Sequence, residues 1–220
     1  MSDIKNQFQF VICGTDTDIG KTLISSFFVR GLNSFYWKPI QSGINSETDS
    51  QAVARLTKVS EAKIINEAYI FREPVSPHWA AEIDHKLINF QLLNLPNIGG
   101  SLIVETAGGL MVPITRNYLQ IDQIKKWDLP VILVCKSGLG TLNHTLLSIE
   151  ALKKRNIKIL GLVINGKKHL DNPKTLTEFS NLPIIAEFPY IQKIDSNHLD
   201  ILWEELNINN KLITLLNPKK

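Results

Sequence analysis

Cysteine is nearly absent: the 220 residues contain two, Cys13 and Cys135. Two thiols cannot build a zinc site, and each closes an apolar strand-like run, so buried reduced thiols are expected rather than a disulfide. Long hydrophobic runs are missing as well. No stretch approaches the length of a membrane span. The polar opening Met1-Ser2-Asp3-Ile4-Lys5-Asn6-Gln7, followed by a short apolar run, does not read as a secretory signal. Charge of one sign is scarce too: the formal net charge is +3, and the Lys-Lys pairs at 125–126, 153–154, 167–168 and 219–220 are dispersed. That distribution argues against nucleic-acid and membrane-surface partners. Repeats, low-complexity tracts and linkers are also lacking, so residues 1–220 read as one domain of a cytoplasmic protein. What remains is 44% hydrophobic and 20% charged, a globular composition in a chain long enough to bury its own core.

The stretch that organises the chain is Cys13-Gly14-Thr15-Asp16-Thr17-Asp18-Ile19-Gly20-Lys21-Thr22. An apolar run precedes it and a helical pattern, Thr22–Leu32, follows it. A strand, a glycine-bounded loop and a helix opening on Gly-Lys-Thr form a phosphate-cradling loop. Backbone N–H groups and the positive end of the helix dipole converge there on anionic oxygens. Lys21 adds a point charge toward the β and γ phosphates, and the Thr22 hydroxyl can ligate Mg²⁺. Gly14 and Gly20 enclose five residues where the usual spacing is four. Either Thr15 takes the place of the first glycine or the loop is a longer variant.

Apolar runs at Phe8–Cys13, Phe35–Ile40, Leu102–Glu105, Val131–Cys135, Ile157–Ile164 and Pro183–Phe188 read as strands buried on both faces. Helical patterns alternate with them at Thr22–Leu32, Ile121–Trp127 and Asn143–Arg155, the last with Leu146, Leu147, Ile149, Ala151 and Leu152 on its apolar side. Further helices are expected at Asp200–Leu206 and Lys211–Leu216, before a polar tail, Asn217-Pro218-Lys219-Lys220. This rhythm predicts an α/β fold: a doubly wound, mainly parallel sheet flanked by helices, like that of P-loop nucleotide hydrolases. Gln41–Gly100 interrupts it with expected helices at Asp49–Thr57, Ser60–Ile65 and Leu87–Leu95, and with an irregular piece punctuated by Pro74 and Pro77. An insertion at the strand ends is where such a fold builds a substrate site.

Three residues beside the loop suit phosphoryl chemistry. Glu105 ends an apolar strand, where an acid can reach the Mg²⁺ shell, although many strands end in glutamate. Asp49 stands at a helix start, as a metal ligand or as a capping carboxylate. Lys38 lies at the end of the second strand, on the side of the phosphate loop, either neutralising a transferring group or lying on the surface. Trp37, Trp79, Trp127 and Trp203 read as packing residues, and His85, His169 and His198 as residues of solvated loops.

Gly14–Thr22, Lys38-Pro39-Ile40-Gln41-Ser42-Gly43, Val104-Glu105-Thr106-Ala107-Gly108-Gly109 and Gly138-Leu139-Gly140-Thr141-Leu142-Asn143-His144-Thr145-Leu146-Leu147 together resemble the dethiobiotin synthetases. Phe71-Arg72-Glu73-Pro74-Val75-Ser76-Pro77-His78 is similar to the same family, and the motifs run in order from about residue 8 to 190. The five-residue gap in the loop is a mark of that family. The resemblance implies an ATP-dependent cyclo-ligase, a dethiobiotin synthase. It would join CO₂ to 7,8-diaminopelargonic acid with ATP and Mg²⁺, closing a ureido ring and releasing ADP and phosphate.

By that similarity Asp18, Ile19, Gly20, Lys21, Thr22 and Leu23 would wrap the ATP phosphates, with Asp49, Glu105, Thr106, Ala107 and Gly108 alongside. Thr22, Asp49 and Glu105 would hold Mg²⁺. Lys21 and Lys38 would be catalytic, and Thr17, Lys38, Ser42 and Asn143 would contact the substrate. Asn143 would act from the partner subunit of a homodimer, His144 being a hydrogen-bonded helix-start residue. Asn165 would read the adenine edge and Pro189 would pack near the base. Thr106 stands where the family usually has glycine, and Gly166 where an acidic residue is common. A different class, the dimeric P-loop ATP switches of partitioning and division-site selection, carries an extra lysine early in the loop, and Thr15 to Ile19 contain none. Cobyrinate-type synthetases generally need a glutaminase domain that this chain is too short to add.

Overall fold

The computed structural model describes residues 7–44 and 46–216. Most of the polar opening and all of the polar tail therefore lie outside the described residues. The chain runs β1 (Gln9–Gly14), α1 (Lys21–Leu32), β2 (Phe35–Trp37), β3 (Ile40–Ser42), α2 (Asp49–Thr57), β4 (Ile64–Ile65), β5 (Tyr69–Phe71), α3 (Pro77–Ile83) and β6 (Leu102–Glu105). It continues with β7 (Pro113–Thr115), β8 (Tyr118–Leu119), α4 (Gln120–Trp127), β9 (Val131–Lys136), α5 (Thr141–Lys154), β10 (Ile159–Asn165), α6 (Asn172–Ser180), β11 (Ile184–Phe188), α7 (Ser196–Glu205) and α8 (Ile208–Leu216).

Seven strands form one sheet in the order β11-β10-β9-β1-β6-β2-β4, and every pairing in it is parallel. Parallel strands need crossover helices, and helices on both faces leave the strands wholly apolar. Successive side chains of β1 show this: Phe10 and Ile12 enter the core under α1 and α7, while Val11 and Cys13 enter the opposite core with Ile121, Ile149 and Leu176. A third, smaller core of Ile40, Phe71, Ala80, Ala81, Leu93 and Ile114 lies within the insertion. Both cysteines are buried and free, and burial pushes their thiols up to about 12 for Cys13 and about 11 for Cys135. Neither is a nucleophile at neutral pH.

The insertion departs from the pattern. The run Phe35–Ile40 splits at Lys38-Pro39: β2 stays in the main sheet, and β3 pairs with β5 in a separate two-stranded ribbon. Ser60–Ile65 is a short 3₁₀ turn, Glu61–Lys63, running into the edge strand β4, because Ile64 and Ile65 pair with Tyr36 and Trp37. Leu87–Leu95 contains one 3₁₀ turn, Phe90–Leu93. The supposedly irregular Pro74–Pro77 piece ends in a helix, α3, which Pro77 opens. Proline suits a first helical turn, whose N–H groups lack partners anyway. The same logic opens α6 at Asn172-Pro173. Two side chains also sit differently from expectation. Leu147 is 57% exposed and Trp79 is 52% exposed. On α5 the buried stripe runs through Thr145, Ile149 and Leu152, and Leu147 lies off it. His198 lies in α7, where its ring meets Asp195 Oδ1 at 2.7 Å.

Candidate active site

The phosphate loop leaves the C-terminal end of β1, between β6 and β9, at the point where the strand order reverses. Open α/β sheets bind ligands there. Gly20 caps α1 with φ +88°, and a Cβ at that position would meet Asn165 Nδ2 at 2.1 Å. Only glycine fits that left-handed, crowded position. Asn165 Nδ2 donates to Ile19 O at 2.9 Å, tying the loop to the end of β10. Lys21 folds back over the loop and donates to Asp16 O at 2.8 Å. Burial lowers the Lys21 ammonium pKa, and the nearby Lys38 charge adds to this against the pull of Glu105.

Four elements bring one polar cluster together behind the loop. Thr22 on α1 donates from Oγ1 to Glu105 Oε1 at 2.9 Å, and Tyr36 on β2 donates from its hydroxyl to Glu105 Oε2 at 3.0 Å. Lys38, placed by the break between β2 and β3, donates to Asp49 and lies 3.4 Å from Glu105 Oε1. Burial disfavours the Lys38 charge, but Glu105 and Asp49 outweigh it and hold the ammonium above its ordinary range. Lys38 therefore stands in the cluster as a cation paired with both carboxylates. Tyr36 is held well above its ordinary range by burial and by the charges of Glu105 and Asp49, so its hydroxyl stays a donor. Glu105 itself is wholly buried.

Asp49 is free to join the cluster because it does not cap its own helix. Thr48 is the N-cap of α2 and forms a capping box with Gln51: Thr48 N donates to Gln51 Oε1 at 2.8 Å, and Gln51 N to Thr48 Oγ1 at 3.3 Å. Gln41 then accepts from Asp49 N at 3.3 Å and donates to Gly43 O at 3.0 Å, which holds the start of α2 against the turn after β3.

A cavity of about 660 Å³ opens over this cluster. Of the residues expected at the site, it is lined by Thr17, Asp18, Gly20, Lys21, Thr22, Lys38, Ser42, Asp49, Glu105, Ala107 and Gly108. Ser42 Oγ is buried with no hydrogen-bond partner among the described residues. Ile19, Leu23 and Thr106 do not line the cavity. The Thr106 side chain is buried and turns toward β1, with Oγ1 3.4 Å from Ile12 O, so the extra side chain stays out of the loop's open face. Pro189 lines a second cavity of about 540 Å³ with Ser137, Gly166, Lys167, Glu187 and Tyr190. Asn143, in the first turn of α5, is exposed and lines neither cavity. Gln41, Ser76 and Pro74 also line the main cavity. They fall inside motifs read from the sequence, but no role attached to them. Tyr36 gave no signal, since a tyrosine in a strand reads as core.

Among the described residues no group of three or more His, Cys, Asp or Glu could hold a metal ion. The two carboxylates nonetheless converge on one cation, Lys38, with the Thr22 hydroxyl beside them. Mg²⁺ is bound in nucleotide sites by one or two carboxylates plus phosphate oxygens, so this oxygen set fits it.

These features define the class: an α/β protein of the P-loop nucleotide-binding kind. A family model described as an AAA domain matches residues 9–198. Among solved structures, the chain is similar in fold to the septum site-determining protein MinD of Pyrococcus horikoshii. There the TM-score is 0.54 at 13% identity, covering 96% of this chain and 97% of that one. A plasmid partition protein from Borrelia burgdorferi gives a TM-score of 0.53 at 14% identity, covering 94% and 99%. Identities this low carry the fold alone. An ATP-dependent dethiobiotin synthetase from Rhodopseudomonas palustris strain HaA2 is 44% identical over 86% of this chain and 89% of its own length. One from Bradyrhizobium diazoefficiens is 39% identical over 94% and 99%. The chain belongs to the ATP-dependent dethiobiotin synthetase family, ATP-dependent ligases of biotin biosynthesis.

Proposed function

We propose that this chain converts 7,8-diaminopelargonic acid, CO₂ and ATP to dethiobiotin, ADP and phosphate. The observation that carries the reading is the Lys38–Asp49–Glu105–Thr22 cluster under a phosphate loop and at the floor of a cavity of about 660 Å³. One substrate amine adds to CO₂, forming an N–C bond and losing a proton to give a carbamate. A carbamate oxygen attacks the γ-phosphorus, and the bond to the bridging oxygen breaks to release ADP. The second amine then attacks the carbonyl carbon of the carbamic-phosphoric anhydride, loses its proton, and expels phosphate as the ring closes.

Each species on this path is anionic or becomes so, and preorganised positive charge lowers barriers of that kind. Lys21 faces the transferring phosphoryl group and Lys38 the carbamate. Thr22 Oγ1, Asp49 and Glu105 would hold Mg²⁺, which when bound neutralises charge on the β and γ phosphates. Thr17 and the unpartnered Ser42 hydroxyl suit the carbamate and diamine end. Ala107 and Gly108 bring backbone close to the phosphates, and Asn165 and the Pro189 cavity suit the base. We read the enzyme as a cytoplasmic homodimer in which Asn143 of one subunit contacts the remote carboxylate bound to the other. Exposed Leu139 and Leu147 flank Asn143, and Leu147 lies one turn from it on the same helix face, which supports a subunit contact there.

The test is direct. Purified protein is mixed with ATP, Mg²⁺, bicarbonate and the diamine, and both phosphate and dethiobiotin are measured. Equal yields are expected. ATP turnover without dethiobiotin would point instead to a nucleotide switch.

A further inference from the structure

Tyr36 reaches from the hydrophobic core into the polar cluster. It shares that core with Phe10, Phe27, Phe28 and Ile103, all wholly buried. A buried hydroxyl costs free energy unless it is hydrogen-bonded, and that of Tyr36 donates to Glu105 Oε2 at 3.0 Å. Strand register explains the reach. Tyr36 on β2 is the Cα partner of Ile103 on β6. Glu105 lies two residues further along the same face, about 6.6 Å on at the usual strand rise. A tyrosine ring leaning along the strand spans that interval, and a phenylalanine ring would stop short of the carboxylate.

The two oxygens of Glu105 have separate partners. Oε1 accepts from Thr22 at 2.9 Å and faces Lys38 at 3.4 Å. Among the described residues Oε2 accepts from Tyr36 alone. The terminal torsion of a glutamate is broad and nearly two-fold, so the carboxylate does not by itself select the angle at which Oε1 meets the site. We propose that Tyr36 is a positioning residue of this active site: its hydroxyl fixes the Glu105 carboxylate so that Oε1 faces Thr22 and the nucleotide-bound divalent cation. Tyr36 touches neither substrate nor cation and acts through Glu105. The proposal rests on Glu105 as a cation ligand, and its test separates the two claims.

The probe is Mn²⁺, titrated by electron paramagnetic resonance against protein loaded with a non-hydrolysable ATP analogue. Tyr36→Phe should weaken Mn²⁺ binding about ten-fold, the low end of what lost support behind a metal ligand costs. Affinity for the analogue without metal should not change. A merely structural hydroxyl would lower thermal stability and leave Mn²⁺ affinity alone. In the Glu105→Gln background the added Tyr36→Phe change should have no further effect, because a residue acting through another shows full non-additivity. That double variant carries no buried unpaired carboxylate, so it keeps the test open should Tyr36→Phe alone fail to fold. Unchanged Mn²⁺ affinity in Tyr36→Phe, where Glu105→Gln weakens it, would overturn the positioning role. Additive losses in the double variant would overturn it equally. Unchanged affinity in Glu105→Gln would instead overturn the cation role of Glu105, and the proposal with it.

Discussion

At the scale of the residue, the role proposed for Lys38 separates binding from chemistry. Its ammonium is buried between two carboxylates that hold its pKa up, so the role proposed for it is electrostatic. Lys38→Ala should lower the rate of dethiobiotin formation about 10²- to 10³-fold, the usual loss for a preorganised charge at a reacting group. Nucleotide affinity, read by equilibrium dialysis, should change little, because Lys21 and the loop backbone remain. Full turnover in that variant would remove Lys38 from the mechanism. Thr106 makes the opposite prediction. Its side chain is buried toward Ile12 and clear of the cavity. Thr106→Gly should therefore leave KM for ATP unchanged and lower stability by about 1 kcal/mol through backbone entropy, as measured by urea denaturation. A lower KM for ATP in that variant would show that the threonine does obstruct the loop.

At the scale of the element, α1 joins the phosphate loop to the rest of the molecule. Gly31 lets Trp203 of α7 lie directly on α1, since a Cβ there would meet the indole at 2.1 Å. Arg30 ties three helices: its guanidinium donates to both oxygens of Asp200 on α7 at 2.8 Å, and to Thr57 O at the end of α2 at 2.9 Å. The Arg30 hydrogen bonds hold the Asp200 carboxyl below the usual carboxylate range. A carboxyl with a depressed folded-state pKa contributes stability above its unfolded value, near pH 3.9, and loses it as pH falls through the folded one. Asp200 is 46% exposed, so the contribution is screened and amounts to less than about 1 kcal/mol. The urea midpoints of wild type and Asp200→Asn should thus stay separated by a constant gap from neutral pH to about pH 5, and converge below about pH 4. A gap unchanged at pH 3 would remove the pair from the stability of this helix layer.

At the scale of the whole molecule, the face carrying Asn143, Leu139 and Leu147 is the one the proposed dimer would use. Leu147→Glu should convert the dimer to monomer in sedimentation velocity while ATP binding by the isolated subunit persists. Asn143→Ala should keep the dimer and raise KM for the diamine more than it lowers kcat, as expected when a contact made equally in ground and transition states is lost. A fall in kcat at unchanged KM would remove Asn143 from substrate binding. Among the described residues no helix is long and apolar enough to cross a membrane.

How much of this was legible in the chain depended on how local the cause was. Periodicity and glycine spacing in the sequence by itself determined the strand–loop–helix around Gly14–Thr22 and the helix over Asp49–Thr57. The parallel sheet also followed, because these features act over a few neighbouring residues. Glu105 and Lys38 could be marked as candidates from their places at strand ends. The tertiary structure alone decided the rest. Ile64 and Ile65 became a strand only because β2 was there to pair with them, and the Phe35–Ile40 run split because β5 offered a second ribbon. Thr48 capped α2 and so released Asp49 toward Lys38. Tyr36 became more than a core aromatic once register set it two residues from Glu105 across the sheet. Those outcomes depend on partners distant in sequence, whose geometry no local pattern encodes.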